Sequence, residues 1–283
     1  MVIDPVAFHI GQIEIRWYGI LISASIILGI LLAWYIAKRK NQNTDHLLNI
    51  ALFGIIAAII GARLYYVLFQ WGYYSKYLLD ILMMWKGGLA IHGAIIGGVI
   101  AIAIYAAVKK LNVWVWLDIM APALALGQGI GRWGNFFNQE AFGTPTDQPW
   151  GIYISPQNRP IGYEAFERFH PTFLYESLLN FALFGLLYFL ITRQIKGWKW
   201  LKDGTVFLIY GICYSTYRFF IEGLRTDSLW LGTARAAQVV SVIVFVLFIL
   251  ILFFKIFGVL KPRTDQGKIT DKKEKEIKPS DKE

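Results

Sequence analysis

The sequence predicts an all-α integral membrane protein: seven transmembrane helices, the N-terminus outside, the C-terminus cytoplasmic, and a small extracytoplasmic cap. Three observations carry that expectation. Of 283 residues, 56% are hydrophobic and only 17% charged, with a mean hydropathy of +0.48, whereas soluble domains run near a quarter charged. The charge is also unevenly placed, because Lys261–Glu283 alone holds 14 of the 47 charged side chains. Finally, seven stretches reach the roughly 20 mostly apolar residues that a helix needs to cross the hydrocarbon core. The chain therefore divides into a seven-helix membrane domain over 1–260 and a charged tail over 261–283, expected to be disordered.

Taken in order, the expected spans are 17–37, 47–69, 87–108, 113–134, 172–192, 204–223 and 236–258. The first and last are plainly apolar. The second, fourth, fifth and sixth carry Arg63, Asp118, Glu176 and Arg218 inside or near their ends, and the third is Gly-rich and contains His92. Trp and Tyr gather at the span edges (Trp17 and Tyr18, Trp34 and Tyr35, Trp114 and Trp116, Trp198 and Trp200), as in an aromatic belt. Gly93 and Gly97, and Gly127 and Gly131, have the spacing of close helix contacts. No strand alternation and no internal repeat is evident. Residues 1–16 include Asp4 and Glu14 and lack a basic n-region. The reading is therefore no cleavable signal peptide, with the first span as its own insertion signal. One cysteine, Cys213, excludes an internal disulfide or a cysteine-based metal cluster. The four histidines show no ligand spacing, so no metal site is expected. Between spans four and five, residues 136–171 hold five of the nine prolines and read as a stiff outer cap.

Orientation follows from the basic residues. One side receives 15 of the 17 lysines, the other 8 of the 11 arginines. Lysine crowding short loops marks the first side as cytoplasmic. In a membrane protein the pI near 9.5 therefore says little about nucleic acid, and no nucleic-acid partner is expected. The outward arginines have no such explanation. Guanidinium forks match phosphate and carboxylate oxygens in bidentate fashion, which points to an anionic headgroup. The alternative is snorkelling with structural pairing to Glu140, Glu164, Glu222 or Asp227.

Three constellations stand out. Tyr214, Arg218, Glu222 and Arg225 fall at i, i+4, i+8 and i+11, so they share one helical face. Ionisable groups in a span usually face a bundle interior or a wet cavity. Either Arg218 and Glu222 neutralise each other to lock packing, or Glu222 orients Arg218 in a polar cavity. The run Gly127-Gln-Gly-Ile-Gly131-Arg132-Trp-Gly134-Asn135-Phe-Phe-Asn138-Gln-Glu140-Ala-Phe-Gly143 permits close backbone approach. Arg132 and Asn135 face one way if the helix persists. With no preceding strand and no Gly-Lys-Ser/Thr, it is not a nucleotide loop. His92 is expected about a turn below the outer surface, at the depth of Arg132 and Arg218. It reads either as a hydrogen-bonded packing residue or as a proton-transfer group.

The run Gly131–Glu140 resembles the signature of the prolipoprotein diacylglyceryl transferases of bacterial membranes. Arg16-Trp17-Tyr18-Gly19, Gly61-Ala62-Arg63, Ile91-His92-Gly93, His170-Pro171 with Tyr175-Glu176, and Tyr217-Arg218-Phe219 with Glu222 resemble further family blocks, in family order. Departures are Ala94 where many relatives have Gly, and Arg235-Ala-Ala-Gln238 where Met-Gly-Gln is usual. The resemblance implies an enzyme of the bacterial cell membrane. It would transfer the diacylglyceryl group of phosphatidylglycerol to the lipobox cysteine of a prolipoprotein signal peptide and release glycerol 1-phosphate, with no cofactor. It implies His92, Arg132 and Arg218 as catalytic, with His92 the candidate base. It implies substrate contacts from Arg132, Asn135, Asn138, Glu140, Gly143, Tyr18, Arg63, Tyr214, Glu222 and Arg225. A thioether requires a thiolate, and a free thiol of pKa about 8.5 is mostly protonated at neutral pH, so a base or a positive field would help. A transporter using the same arginines would need polar residues through the inner half, or a repeat. Asp118 is the lone inner charge, and no repeat appears. A non-catalytic scaffold would leave His92, Arg132 and Arg218 without a purpose.

Overall fold

The computed structural model describes residues 3–84 and 87–256, the side chains of Ile91 and His92 excepted. They form two compact units, one of residues 3–33 with 114–256, the other of residues 34–113.

The first unit opens with an antiparallel hairpin, β1 (Val6–Ile10) and β2 (Ile13–Arg16), turning at Gly11 and leading directly into α1 (Trp17–Arg39). Its helices are the first part of α1, then α5 (Val113–Asn138, from residue 114), α6 (Thr172–Ile195), α7 (Thr205–Leu224) and α8 (Ala236–Ile256). Between α5 and α6 lie β3 (Ile152–Tyr153), a short 3-10 turn at Pro156–Asn158, and β4 (Arg168–Phe169). Between α7 and α8 lies the small pair β5 (Trp230–Leu231) and β6 (Ala234–Arg235). These hairpins correct the expectation of no strands. Each strand has two to five residues, too few for a period-two pattern to stand out.

The expected cap does have a core of its own. Phe142, Ile154 and Phe169 bury against one another, with Ile152 opposite Phe169 in the β3–β4 pair. Full burial of such side chains is worth about 1.5–3 kcal/mol each, enough to hold a proline-rich segment in one shape.

Asp118, wholly buried, accounts for the lone inner charge. Its Oδ2 accepts from the backbone N–H of Gly204 and from Gln194 Nε2, both at 2.7 Å, and its Oδ1 accepts from the Phe207 N–H at 2.9 Å. The first N–H groups of a helix have no partner within it, and the positive end of the dipole favours an anion there. A carboxylate from α5 thus caps α7.

The second unit contains the rest of α1, α2 (Thr44–Phe69), α3 (Trp71–Tyr74), a 3-10 segment at Leu78–Leu82, and α4 (Ile91–Val108). Asn43 starts α2 by accepting from the Asp45 N–H at 2.9 Å. Helices α2 and α4 touch backbone to backbone. A Cβ on Gly93 would meet the Gly61 carbonyl, and one on Gly97 would meet that of Ala57, so the small-residue spacing read in α4 is a packing seam. The third expected span begins four residues late. Gly87 and Gly88 adopt φ of +87° and +81°, outside the helical region, and Arg63 takes both of their carbonyls.

Among the described residues, five helices (α1, α2, α5, α6 and α8) are long and apolar enough to cross a membrane, and Gly93–Val108 is a shorter apolar helix. Helix α7 falls outside that group, being loaded with Tyr210, Tyr214, Tyr217, Arg218 and Glu222. The protein is a mostly helical membrane protein.

Candidate active site

The first unit gathers most of the expected site residues around a carboxylate. Glu176, one turn into α6 and 1% exposed, meets three arginines from two other segments. Arg132 of α5 forms an ion pair through Nη2 with Oε2, a contact out of line for a hydrogen bond. Arg218 of α7 donates from Nη1 to Oε1 at 3.0 Å. Arg225 brings Nη1 within 3.6 Å of the same oxygen. A buried carboxylate is costly unless paired, and three guanidiniums within reach supply that pairing. Glu176 is not among the site residues expected from the sequence. The available signal was its position inside a span, where an ionisable group faces partners rather than lipid.

Arg218 and Arg225 are further held. Arg218 also donates from Nη2 to Glu222 Oε2 at 2.5 Å, so its fork bridges α6 and its own helix. Arg225 lies just past the end of α7, with an extended backbone. It grips Asp227 with two parallel bonds, Nε to Oδ1 at 2.9 Å and Nη2 to Oδ2 at 2.7 Å. Partial burial works against ionisation of Asp227, but the Arg225 fork outweighs it and holds the carboxyl below the usual range. Arg235 reaches the carbonyls of Glu222 and Arg225 and stacks over Trp230 at 5.3 Å. Arg132 differs from these three. Beyond its Nη2 contact, its Nε and Nη1 donors meet no acceptor among the described residues, and its side chain is 22% exposed.

Helix α5 does persist through Asn138, four residues past the expected span end at 134, and so puts Arg132 and Asn135 one turn apart. Asn135 and Asn138 each donate an amide N–H to Glu140 Oε1, at 2.9 and 3.3 Å. Gly143 is buried at a junction. Its N–H donates to the His170 carbonyl at 2.8 Å, and it bridges to Arg225. A Cβ there would lie 2.8 Å from His170 Cβ and 3.0 Å from Thr172 Cγ2, so only glycine lets the chain pass. Tyr18 lays its ring over Gly134, and Trp17 stacks on Phe137 at 5.0 Å. Tyr214 stacks on Tyr210 at 5.9 Å and meets Tyr217 edge-on. Tyr217 donates to Asn180 Oδ1 at 2.7 Å, continuing the polar face of α7. Of the partners weighed for the arginines, Glu222 and Asp227 are in use, Glu140 serves asparagines, and Glu164 accepts the Gly162 N–H.

Two expected residues belong to the second unit. Arg63 is 5% exposed, and its guanidinium donates to the carbonyls of Ile81, Gly87, Gly88 and Asp80 at 2.5–2.9 Å, with Tyr74 beneath it at 5.2 Å. It braces the chain that enters α4. His92 falls in the first turn of α4, and its side chain lies outside the described residues. Among the described residues, no three His, Cys, Asp or Glu side chains come together as metal ligands would.

Comparison with known proteins decides what this arrangement belongs to. The pattern of the prolipoprotein diacylglyceryl transferase family matches residues 5–254. The chain belongs to that family. The phosphatidylglycerol–prolipoprotein diacylglyceryl transferase of Acaryochloris marina is 51% identical over 239 residues, covering 84% of this chain and 86% of its own. That of Trichormus variabilis is 52% identical over 237 residues, 84% of each chain. That of Prochlorococcus marinus (strain MIT 9301) is 42% identical over 282 residues, 92% of this chain and 93% of its own. As a prolipoprotein diacylglyceryl transferase, the protein is a multi-span membrane enzyme that attaches a diacylglyceryl group to a prolipoprotein.

Proposed function

We propose that this transferase takes its diacylglyceryl group from phosphatidylglycerol in the outer leaflet of the bacterial cell membrane and places it on the lipobox cysteine of a prolipoprotein signal peptide. The chain crosses the membrane seven times, N-terminus outside, with the cap of residues 139–171 and the arginine cluster on the outer side. The cysteine thiolate attacks the glyceryl carbon that bears the phosphate. An S–C bond forms, the C–O bond to phosphate breaks, and glycerol 1-phosphate leaves with that oxygen and one more negative charge.

The observation that carries this reading is the charge balance of the cluster. Four guanidiniums (Arg132, Arg218, Arg225 and Arg235) stand against three carboxylates (Glu176, Glu222 and Asp227), and Arg132 keeps donors without acceptors among the described residues. A lipid carrying one negative charge completes the balance. Donors already fixed in place stabilise charge as it grows on the leaving phosphate, with little reorganisation. Arg132 and Arg218 bind that phosphate. Asn135, Asn138, Glu140 and Gly143 shape the headgroup side, Tyr18 and Tyr214 line the site, and Arg225 and Glu222 hold Arg218 and its surroundings. Arg63 acts through the segment it braces. His92 accepts the thiol proton, a role supported by the chemistry of imidazole near neutral pH and by its family block, Ile91-His92-Gly93.

The test is purified protein with phosphatidylglycerol and a lipobox peptide, read by mass spectrometry for the diacylglyceryl thioether. Absence of the adduct under conditions where the protein stays folded rejects the reading. With His92→Ala, turnover is expected to fall about 10²–10⁴-fold, the usual worth of general acid–base catalysis. A rate near wild type at neutral pH removes His92 as the base.

A further inference from the structure

At the outer end of α5, one carboxylate dictates how two amides face. Asn135 Nδ2 and Asn138 Nδ2 both donate to Glu140 Oε1. An ionised carboxylate only accepts hydrogen bonds, so each amide must present its NH₂ to Glu140 and turn its carbonyl oxygen away. Amide orientation is often ambiguous, but here the partner fixes it. Among the described residues, neither Oδ1 has a protein donor.

The platform beneath is held from several sides. Helix α5 ends in a Schellman turn, with the Glu140 N–H on the Asn135 carbonyl at 3.0 Å and the Gln139 N–H on that of Phe136 at 3.1 Å. Gln139 sits at φ +50°, where glycine is usual. Its side chain repays that strain, because Oε1 accepts from the Ser155 N–H at 2.9 Å and from Asn158 Nδ2 at 3.1 Å. The cap thereby fixes the turn, and the turn fixes Glu140.

We propose that Glu140, by holding both amides, presents the Asn135 and Asn138 carbonyl oxygens as a pair of acceptors for headgroup hydroxyls, and so selects a polyhydroxyl phosphodiester lipid over a hydroxyl-free one of equal charge. The inference rests on the reading that Arg132 binds the lipid phosphate. Three residues of α-helix rise about 4.5 Å, so the acceptor on Asn135 lies within a glycerol's reach of a phosphate on Arg132. The arginines then recognise charge, and the Glu140 clamp recognises what hangs from it. Glu140 has asparagine partners and no arginine among the described residues, which leaves this role open to it.

The experiment compares phosphatidylglycerol with phosphatidylethanol of the same acyl chains. Both are singly charged phosphodiesters with alkyl phosphate leaving groups, and only the first carries hydroxyls. Initial rates of adduct formation on a lipobox peptide are measured for the full-length enzyme. A hydrogen bond is worth up to about tenfold, so two imply a wild-type preference for phosphatidylglycerol of about 10- to 100-fold. Glu140→Gln can donate as well as accept, so it no longer forces either amide, and the preference should fall to a few-fold. Asn138→Ala removes one acceptor without touching the carboxylate and should cost about tenfold of the preference, which keeps the proposal testable should Glu140→Gln fail to fold. Equal use of both lipids by the wild type overturns the proposal while leaving the transferase reading intact. So does undiminished preference in both variants, or a parallel loss on both lipids. No adduct from either lipid with the wild type overturns both readings.

Discussion

Arg132 and Glu176 are the residues on which the site turns. If Arg132 only attracts an anion, Arg132→Lys keeps most activity, because the unit charge remains. The structure gives the guanidinium two tasks, with Nη2 on Glu176 and the other donors facing elsewhere. A lysine ammonium directed at Glu176 no longer presents a planar fork to phosphate. Loss of one charge-assisted hydrogen bond is worth about 1.5–3 kcal/mol, so kcat/KM should drop roughly 10- to 150-fold. Near-wild-type kinetics with varied phosphatidylglycerol would reject bidentate binding. Glu176→Gln leaves Arg132, Arg218 and Arg225 without their shared anion. Breaking a buried pair typically costs about 3–5 kcal/mol, so melting in detergent should fall by several degrees along with kcat/KM, and Glu176→Asp should recover part of both. Unchanged melting and kinetics in Glu176→Gln would remove Glu176 as the organiser. The arginines were legible in the sequence because lysine bias leaves them unexplained. Their common partner was not, because it lies on a different helix, 44 positions from Arg132 and 42 from Arg218, and periodicity relates residues only within one helix.

Single contacts decide where the elements begin and end. Asp118 reaches from α5 to the first N–H groups of α7, and α7 carries Arg218 and Glu222 at its other end. Asp118→Ala leaves those donors buried without an acceptor. With hydrogen bonds to a charged group worth about 1.5–3 kcal/mol each, the variant should melt clearly below wild type, and amide exchange should rise first at Gly204 and Phe207. Exchange unchanged at those two positions would show that α7 does not depend on this cap. The helices themselves were readable from apolar runs to within about four residues at each end. Their ends were less so: α4 starts late because Arg63 takes the Gly87 and Gly88 carbonyls, and α5 runs on to Asn138 because Gln139 and the cap close its last turn. Such stops are written in tertiary contacts. The short hairpins escaped for a related reason, since a two-residue strand such as β4 is defined only by its partner, here β3.

Across the whole molecule, the distribution of charge argues for a direction. The two kinds of basic residue part company along the chain. Most lysines fall at or after the C-terminal ends of α1, α4, α6 and α8, whereas arginines collect around the C-terminal ends of α5 and α7. Short loops rich in lysine are retained on the cytoplasmic side, and this supports the proposed orientation, in which the segment after α1, with Lys38, Arg39 and Lys40, is inside. In that proposed orientation, residues 139–171 of the expected cap, which follow α5, are outside. The proposed reaction needs this sense, because it puts the signal peptide cysteine and the lipid phosphate on the outer face, and an inward arginine cluster would face the other leaflet. Asn158 lies in the cap, at the end of the Pro156–Asn158 turn, and Asn41 lies just past α1 at φ +53°. Wild-type labelling is controlled by Cys213, within α7 and partly buried, which is replaced by serine in the background protein. In intact cells, a membrane-impermeant thiol reagent should label a cysteine at 158 and spare one at 41, and both should react once the membrane is broken. Asn158 donates to Gln139, so a second cysteine at exposed Gln157 guards against a disturbed cap. Labelling at 41 with protection at 157 and 158 would invert the protein and remove the outward-facing site on which the proposed reaction depends.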